Sequence, residues 1–279
     1  MQFLKWLRIS LFTHVVIASG TVLLSMQTQL LLGHSLQQPW LYLFLFFATL
    51  LSYNTHFWLA ARKSYRSEQL KWFRKKQILV HLLNMGSLVA VLISGWQIPQ
   101  LLLPLLPALL FNAAYTAPLL VSGKVKLPVV FTFVKSYFIG FTWAWVTVVV
   151  PVKDLQLSLT PETLLLFMNR LLLVSIATLI FDWRDRYSDQ EWGVLTPANL
   201  FTEKQYRYFF LLNLACYGLL TIQQVMISGE ILHYLQLALI PLMWHLYRYS
   251  HRQPPDSFYL LYVDGLLVLA PCLSLFLLF

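Results

Sequence analysis

The sequence predicts an all-α, polytopic membrane protein, a bundle of nine transmembrane helices. Three observations carry that expectation. Charged residues make up only 11% of the 279-residue chain and hydrophobic residues 58%, whereas a soluble domain carries about 25% charge. The apolar residues run in continuous blocks, not in the alternating stretches of roughly ten that build a membrane β-barrel. The Lys and Arg residues collect in alternate connections between those blocks, as cytoplasmic loops require. So little charge cannot cover a soluble surface, which excludes a soluble enzyme, a disordered chain and a nucleic-acid-binding domain; no nucleic-acid partner is expected. The net charge of +9 reports topology and contact with anionic membrane lipid instead.

A crossing helix needs about 20 mainly apolar residues, because each rises 1.5 Å through hydrocarbon about 30 Å thick. Stretches of that kind lie at approximately 9–32, 40–60, 77–97, 99–121, 129–152, 163–182, 205–227, 230–247 and 258–279, in a single transmembrane domain spanning 1–279. The first block has no small-residue cleavage site after it and reads as a retained helix. The cuts at Trp96-Gln97-Ile98-Pro99 and Ile227-Ser228-Gly229-Glu230 each split a run too long for one span. Cys216 and Cys272 lie inside apolar blocks and read as small packing residues.

Nine spans put the termini on opposite sides. With the N-terminus cytoplasmic, the inner loops hold Lys5, Arg8, Arg62, Lys63, Arg66, the 71–76 cluster, Lys124, Lys126, Arg184, Arg186, Lys204, Arg207, Arg248 and Arg252. Lys153 stands alone outside, and Lys135 and Arg170 fall within spans. The expected location is therefore a multi-pass integral membrane protein (the inner, cell membrane if the source is bacterial). The long polar connections, 61–76 and 183–204, are both cytoplasmic, and polar work outside lipid falls to such loops.

The second of these loops opens with FDWRDRYSDQEWGVLTP, residues 181–197. Asp182, Asp185 and Asp189 are spaced i, i+3, i+7, which places them along one side of a helix. Like charges so placed repel, and a divalent cation is the usual remedy; Mg²⁺ takes a few carboxylates with phosphate oxygens and water. Arg184 and Arg186 on neighbouring faces suit neutralisation or phosphate binding. The plainer alternative is a solvated polar cap on a helix leaving the membrane.

The pattern DxxDxxxD followed by Gly193 and Thr196-Pro197 resembles the second aspartate-rich motif of the UbiA-type intramembrane prenyltransferases. The resemblance extends in outline over the whole chain: nine spans, a cytoplasmic N-terminus, and motif loops after spans two and six. Weaker matches are Tyr115-Thr116-Ala117-Pro118, Lys135 with the Trp143/Trp145 stretch and Pro151, and Tyr262-Val263-Asp264-Gly265. The resemblance implies transfer of an isoprenyl group from an isoprenyl diphosphate to a lipid-soluble, for instance aromatic, acceptor. It implies Mg²⁺ on Asp182, Asp185 and Asp189, with Asp182 and Asp185 catalytic. It implies diphosphate or substrate contacts from Asn54, Arg62, Lys124, Lys126, Lys135, Arg184 and Tyr115.

The family's first motif, NDxxDxxxD, corresponds here to the stretch Asn54–Arg62. The Asn remains, but Thr55, Trp58 and Arg62 stand where the aspartates would be. Two readings follow. In one, basic residues replace the lost metal ligands, since Arg and Lys bind phosphate directly, with His56 a further candidate. In the other, the chain is a non-catalytic relative that binds a prenyl lipid. A transporter is disfavoured, because no broken helix pair or inverted repeat is evident. Phe138, Phe141, Tyr137, Trp143 and Trp145 offer ring faces to an allylic cation. Arg170 lies about 18 Å deeper than Asp182 at 1.5 Å per residue and is expected to pair with Asp264 or cap a carbonyl.

Overall fold

The computed structural model describes residues 2–36, 38–63, 67–117, 120, 133–191, 194–228 and 231–275. Lys124, Lys126, Pro118 and Gly193 lie outside them. Among the described residues the regular structure is all helical, with no strand. The helices are α1 (Gln2–Phe12), α2 (Val15–Leu31), α3 (Pro39–Lys63), α4 (Glu68–Lys75), α5 (Gln77–Trp96), α6 (Pro99–Thr116), α7 (Lys135–Asp154) and α8 (Pro161–Glu191). They continue with the short α9 (Pro197–Leu200), α10 (Glu203–Ser228), α11 (Leu239–Ser250, entered through a 3₁₀ stretch Ile231–Ala238) and α12 (Asp256–Leu275).

Six of these, α3, α5, α7, α8, α10 and α12, are long and apolar enough to cross a membrane, and α1 with α2 makes a seventh if that pair is one bent span. The chain is thus a multi-pass helical membrane protein. Large apolar side chains face outward, as lipid contact requires: Ile78 is 80% exposed on α5 and Leu103 77% exposed on α6. The two remaining stretches expected to cross are helical but fall short of a full span. α6 carries Pro104 and Pro107 inside it, and α11 has only 12 residues.

The first span is not straight. α1 and α2 meet at 66°, and His14 at the break has a left-handed φ of 62°. No Gly or Pro marks the bend. It is held by tertiary polar contacts instead: His14 Nδ1 meets Asn54 Oδ1 at 3.1 Å, and Nε2 meets Gln69 Nε2 at 2.9 Å. The α7 span carries a π-helical segment, Trp145–Val149, just before Pro151. Proline has no N–H to offer the carbonyl four residues back, and the Thr147 carbonyl accepts from Thr28 Oγ1 of α2 at 2.6 Å instead. In lipid such a freed carbonyl needs a partner from within the protein.

Two features fix the frame around the polar end of α8. Gly140 lets α7 lie directly on α8: a Cβ there would collide with Ser175 Oγ and the Leu171 carbonyl. At 31 residues α8 is about 46 Å long at 1.5 Å per residue, so its last turns emerge from the hydrocarbon. Those turns are gripped from the side. The Trp183 ring stacks on Tyr206 of α10 at 5.2 Å and on His251 after α11 at 4.3 Å, and Trp183 and Tyr206 are both buried.

Candidate functional site

The buried face of α8 brings its first carboxylate, Asp182, against the start of α7. Lys135 Nζ lies 3.1 Å from Asp182 Oδ1 and 3.3 Å from Asp189 Oδ2. Ser136 Oγ donates to the other Asp182 oxygen. Asp185 belongs to a different pair: Arg184 Nε and Nη2 meet its two oxygens at 2.7 and 2.9 Å. The Arg184 guanidinium is further held over Phe181 and over Tyr259 of α12, 4.9 Å from each ring centre.

Helix geometry accounts for the pairing of Asp182 with Asp189. At about 100° per residue, seven residues return to within about 20° of the starting direction, while three stop about 60° short. Asp182 and Asp189 therefore face α7 together, and Asp185 is taken by Arg184, whose guanidinium lies over Tyr259 of α12. The expectation that all three form one carboxylate group is refined accordingly. Among the described residues, no three His, Cys, Asp or Glu side chains are gathered closely enough to hold a metal ion. Among the described residues, the contacts of Lys135, Ser136 and Arg184 engage every oxygen of the trio except Asp189 Oδ1. The donor set as arranged does not fit the Mg²⁺ that Asp182, Asp185 and Asp189 were expected to hold.

Other expected site residues divide. Tyr115 joins the cluster region, close enough to Lys135 and the three aspartates to feel their charge. It stacks on His56 of α3 at 4.8 Å, and His56 Nδ1 is 3.4 Å from Thr116 Oγ1. Asn54 instead faces α2 and α4 through His14, fully buried, and among the described residues its Nδ2 has no hydrogen-bond partner. Arg62 leaves the cluster: its guanidinium lies 3.9 Å over the Trp58 ring. With Trp58, Ala61, Phe73, Arg74 and Gln77 it lines a separate surface pocket of about 150 Å³ between α3, α4 and α5. Arg170 does not pair with Asp264 but caps a buried side-chain carbonyl: its Nη2 donates to Gln27 Oε1 at 2.6 Å, and among the described residues Nη1 has no partner.

Below Lys135 the same helix presents an aromatic face. Phe138 and Phe141 both meet Phe111 of α6, at 5.7 and 5.3 Å. Phe141 also stacks on Trp145 at 5.7 Å and meets Phe167 of α8 edge-on at 5.4 Å. From Lys135 to Trp145 this column drops about 15 Å. Trp143 and Tyr137 point elsewhere, the first donating to Tyr53 Oη at 3.2 Å, the second to Asn213 Oδ1 at 2.7 Å. Sequence reasoning missed Ser136, Phe111 and Phe167. Phe111 carried a usable signal, one turn before Tyr115 on the same helix.

The arrangement sets a cation and a hydroxyl at one end of a column of mutually packed aromatic rings, the order of polar and apolar groups that an amphiphile has. Among solved structures, the fold is similar to one described as "Structural and mechanistic insights into the biosynthesis of Digeranylgeranylglyceryl phosphate synthase in membranes". The match has a TM-score of 0.57 and covers 100% of this chain and 98% of the other, at 14% sequence identity. At that identity the likeness establishes the fold. No protein-family model matches the chain, and no curated protein does.

Proposed function

We propose that this chain is an intramembrane prenyltransferase of the UbiA type, acting on an isoprenyl diphosphate and a lipid-soluble, for instance aromatic, acceptor. The observation that carries the reading is the order of groups along α7: the Lys135 ammonium at the polar end, then Phe138, Phe141 and Trp145 down one face. A charged head with a long hydrocarbon tail matches that order. The full-length likeness to a membrane synthase fold supports it.

In the proposed reaction the allylic C1–O bond breaks, and the diphosphate leaves with the bonding pair. Lys135 faces the growing negative charge, and charge stabilisation of this kind is commonly the largest catalytic contribution. An ammonium has three N–H donors. Two are directed at Asp182 and Asp189, so the third is the one a leaving oxygen can take. Phe138, Phe141 and Phe111 turn ring faces and edges to the tail, and faces attract the allylic cation. The acceptor supplies the electron pair for the new bond and releases its proton to water. Asp182 and Ser136 orient Lys135; no step is routed through magnesium.

The same reading keeps nine crossings, α6 and 231–250 being the two short ones. It sets the N-terminus in the cytoplasm and the C-terminus opposite, on the evidence of the basic loops. The diphosphate then arrives from the cytoplasm and the acceptor from the bilayer. A second reading, a prenyl-lipid-binding relative without turnover, is favoured by one observation: each of the acidic residues already contacts a cation within the protein.

The test is direct. Purified protein in lipid nanodiscs is incubated with geranylgeranyl or farnesyl diphosphate and a panel of acceptors, and diphosphate release is measured. Release that is lost in Lys135→Met is the expected result. Saturable binding of the prenyl diphosphate without release, across the panel, supports the second reading. Absence of both binding and release refutes the two together.

A further inference from the structure

Each of the three carboxylates touches a cation of the protein itself, two cations facing three acids, and the way Lys135 is shared has a functional consequence. Asp182 is 1% exposed and Asp189 17%, yet both point at one ammonium, itself 19% exposed. Burying carboxylates this far without a countercharge is strongly unfavourable. Magnesium would need several of their oxygens at once, in near-octahedral geometry. Lys135 and Ser136 hold both oxygens of Asp182, and Arg184 holds both oxygens of Asp185.

The other half of a metal site is absent for a separate reason. Thr55, Trp58 and Arg62 stand on the side of α3 that packs against α5 and α4. Asn84 of α5 donates to Thr55 Oγ1 at 3.4 Å, and Trp58 meets His81 of α5 edge-on at 5.1 Å. None of these side chains reaches Lys135 or the aspartates. The α3 group that approaches Lys135 is His56.

We propose that Lys135 is the resident cation of this site. Its ammonium, clasped by Asp182 and Asp189, takes the position at which those carboxylates would otherwise bind a divalent metal, and the protein carries no magnesium site of its own there. The carboxylates serve to hold and aim the ammonium. Magnesium reaches such a site only as a counterion already bound to an incoming diphosphate, and that last consequence alone rests on the prenyltransferase reading.

The experiment needs no prenyl ligand, so its outcome is separate from that of the proposed activity. Protein in nanodiscs of neutral lipid is titrated with Mn²⁺, a paramagnetic stand-in for Mg²⁺, and free metal is followed by electron paramagnetic resonance. The native chain is expected to bind no more Mn²⁺ than Asp182→Asn. Lys135→Met, which uncovers two adjacent carboxylates, is expected to gain one site per chain with affinity at least about tenfold above native, a difference of about 1.4 kcal/mol. That gain should disappear when Asp182→Asn is added. Lys135→Arg, which keeps a cation, should gain nothing. The proposal is overturned if the native chain binds one Mn²⁺ that Asp182→Asn abolishes, or if folded Lys135→Met gains no site. Where Lys135→Met does not fold, the comparison of native with Asp182→Asn still decides.

Discussion

Lys135 and Asp182 should be energetically coupled to a degree that surface pairs are not. At 3.1 Å and an effective dielectric near 20, their gross Coulomb attraction is about 5 kcal/mol, much of it offset by desolvation. Removing one member of a buried pair typically costs about 3–5 kcal/mol, because the other is left uncompensated. Lys135→Met strands two carboxylates and belongs in that range. Asp182→Asn leaves the ammonium with Asp189 at 3.3 Å and retains a group that Ser136 can reach, so about 1–3 kcal/mol is expected, the cost of an impaired buried hydrogen bond. The double variant removes the attraction once, not twice. It should therefore fall short of the sum of the singles by about 1–3 kcal/mol, the coupling seen between contacting residues. The assay is reversible unfolding in mixed micelles titrated with sodium dodecyl sulfate, on native, both singles and the double. Single costs that add to within about 0.5 kcal/mol, the usual tolerance for independent sites, would falsify the clasp.

Other expectations come from different parts of the frame. Gly140→Val should destabilise by at least the roughly 1–3 kcal/mol of overpacking, because even a Cβ collides with Ser175 Oγ and the Leu171 carbonyl; unfolding in the same micelles checks this, and an unaffected variant contradicts the close approach of α7 to α8. Trp183→Ala should cost about 3–5 kcal/mol, since the ring fills the space between Tyr206 and His251, and hydrogen exchange should rise selectively over the last turns of α8. Arg170→Met should be neutral or stabilising, because among the described residues the guanidinium has only the Gln27 amide for company and no carboxylate; a loss above about 2 kcal/mol would show that a buried countercharge had been missed.

Much of the bundle was readable because a crossing helix announces itself by length and apolarity, and Pro99 at the first turn of α6 marks the cut between two spans in sequence. What could not be read is tertiary in origin. The bend at His14 has no local breaker; it exists because His14 reaches Asn54 and Gln69, 40 and 55 residues away. The helical spacing at 182–189 is readable, but that this stretch continues the crossing helix without a break to Glu191 is not: Trp183 packs on Tyr206 and His251, and that packing carries the helix onward. At the site, the i, i+7 pairing of Asp182 with Asp189 was legible from helix period alone. The defection of Asp185 to Arg184 was not, because it depends on Phe181 and Tyr259 offering ring faces to the guanidinium.

The same logic explains why the two halves of the site differ. On α3, an aspartate at position 55 or 58 would face α5, where Asn84 and His81 now sit, and at position 62 it would face the pocket floored by Trp58 and Phe73. With this packing, acids there could not meet Asp182 and Asp189 around one ion. A lone set of carboxylates on α8 then needs a countercharge that is always present, since a freely exchanging ion would leave Asp182 buried and unpaired whenever it left. A lysine one helix away, fixed in place by the Gly140 contact and by Ser136, meets that need without depending on the metal concentration outside. It also keeps one N–H for a ligand, which a carboxylate-bound arginine such as Arg184, tied at two points and pinned between two rings, is less free to do.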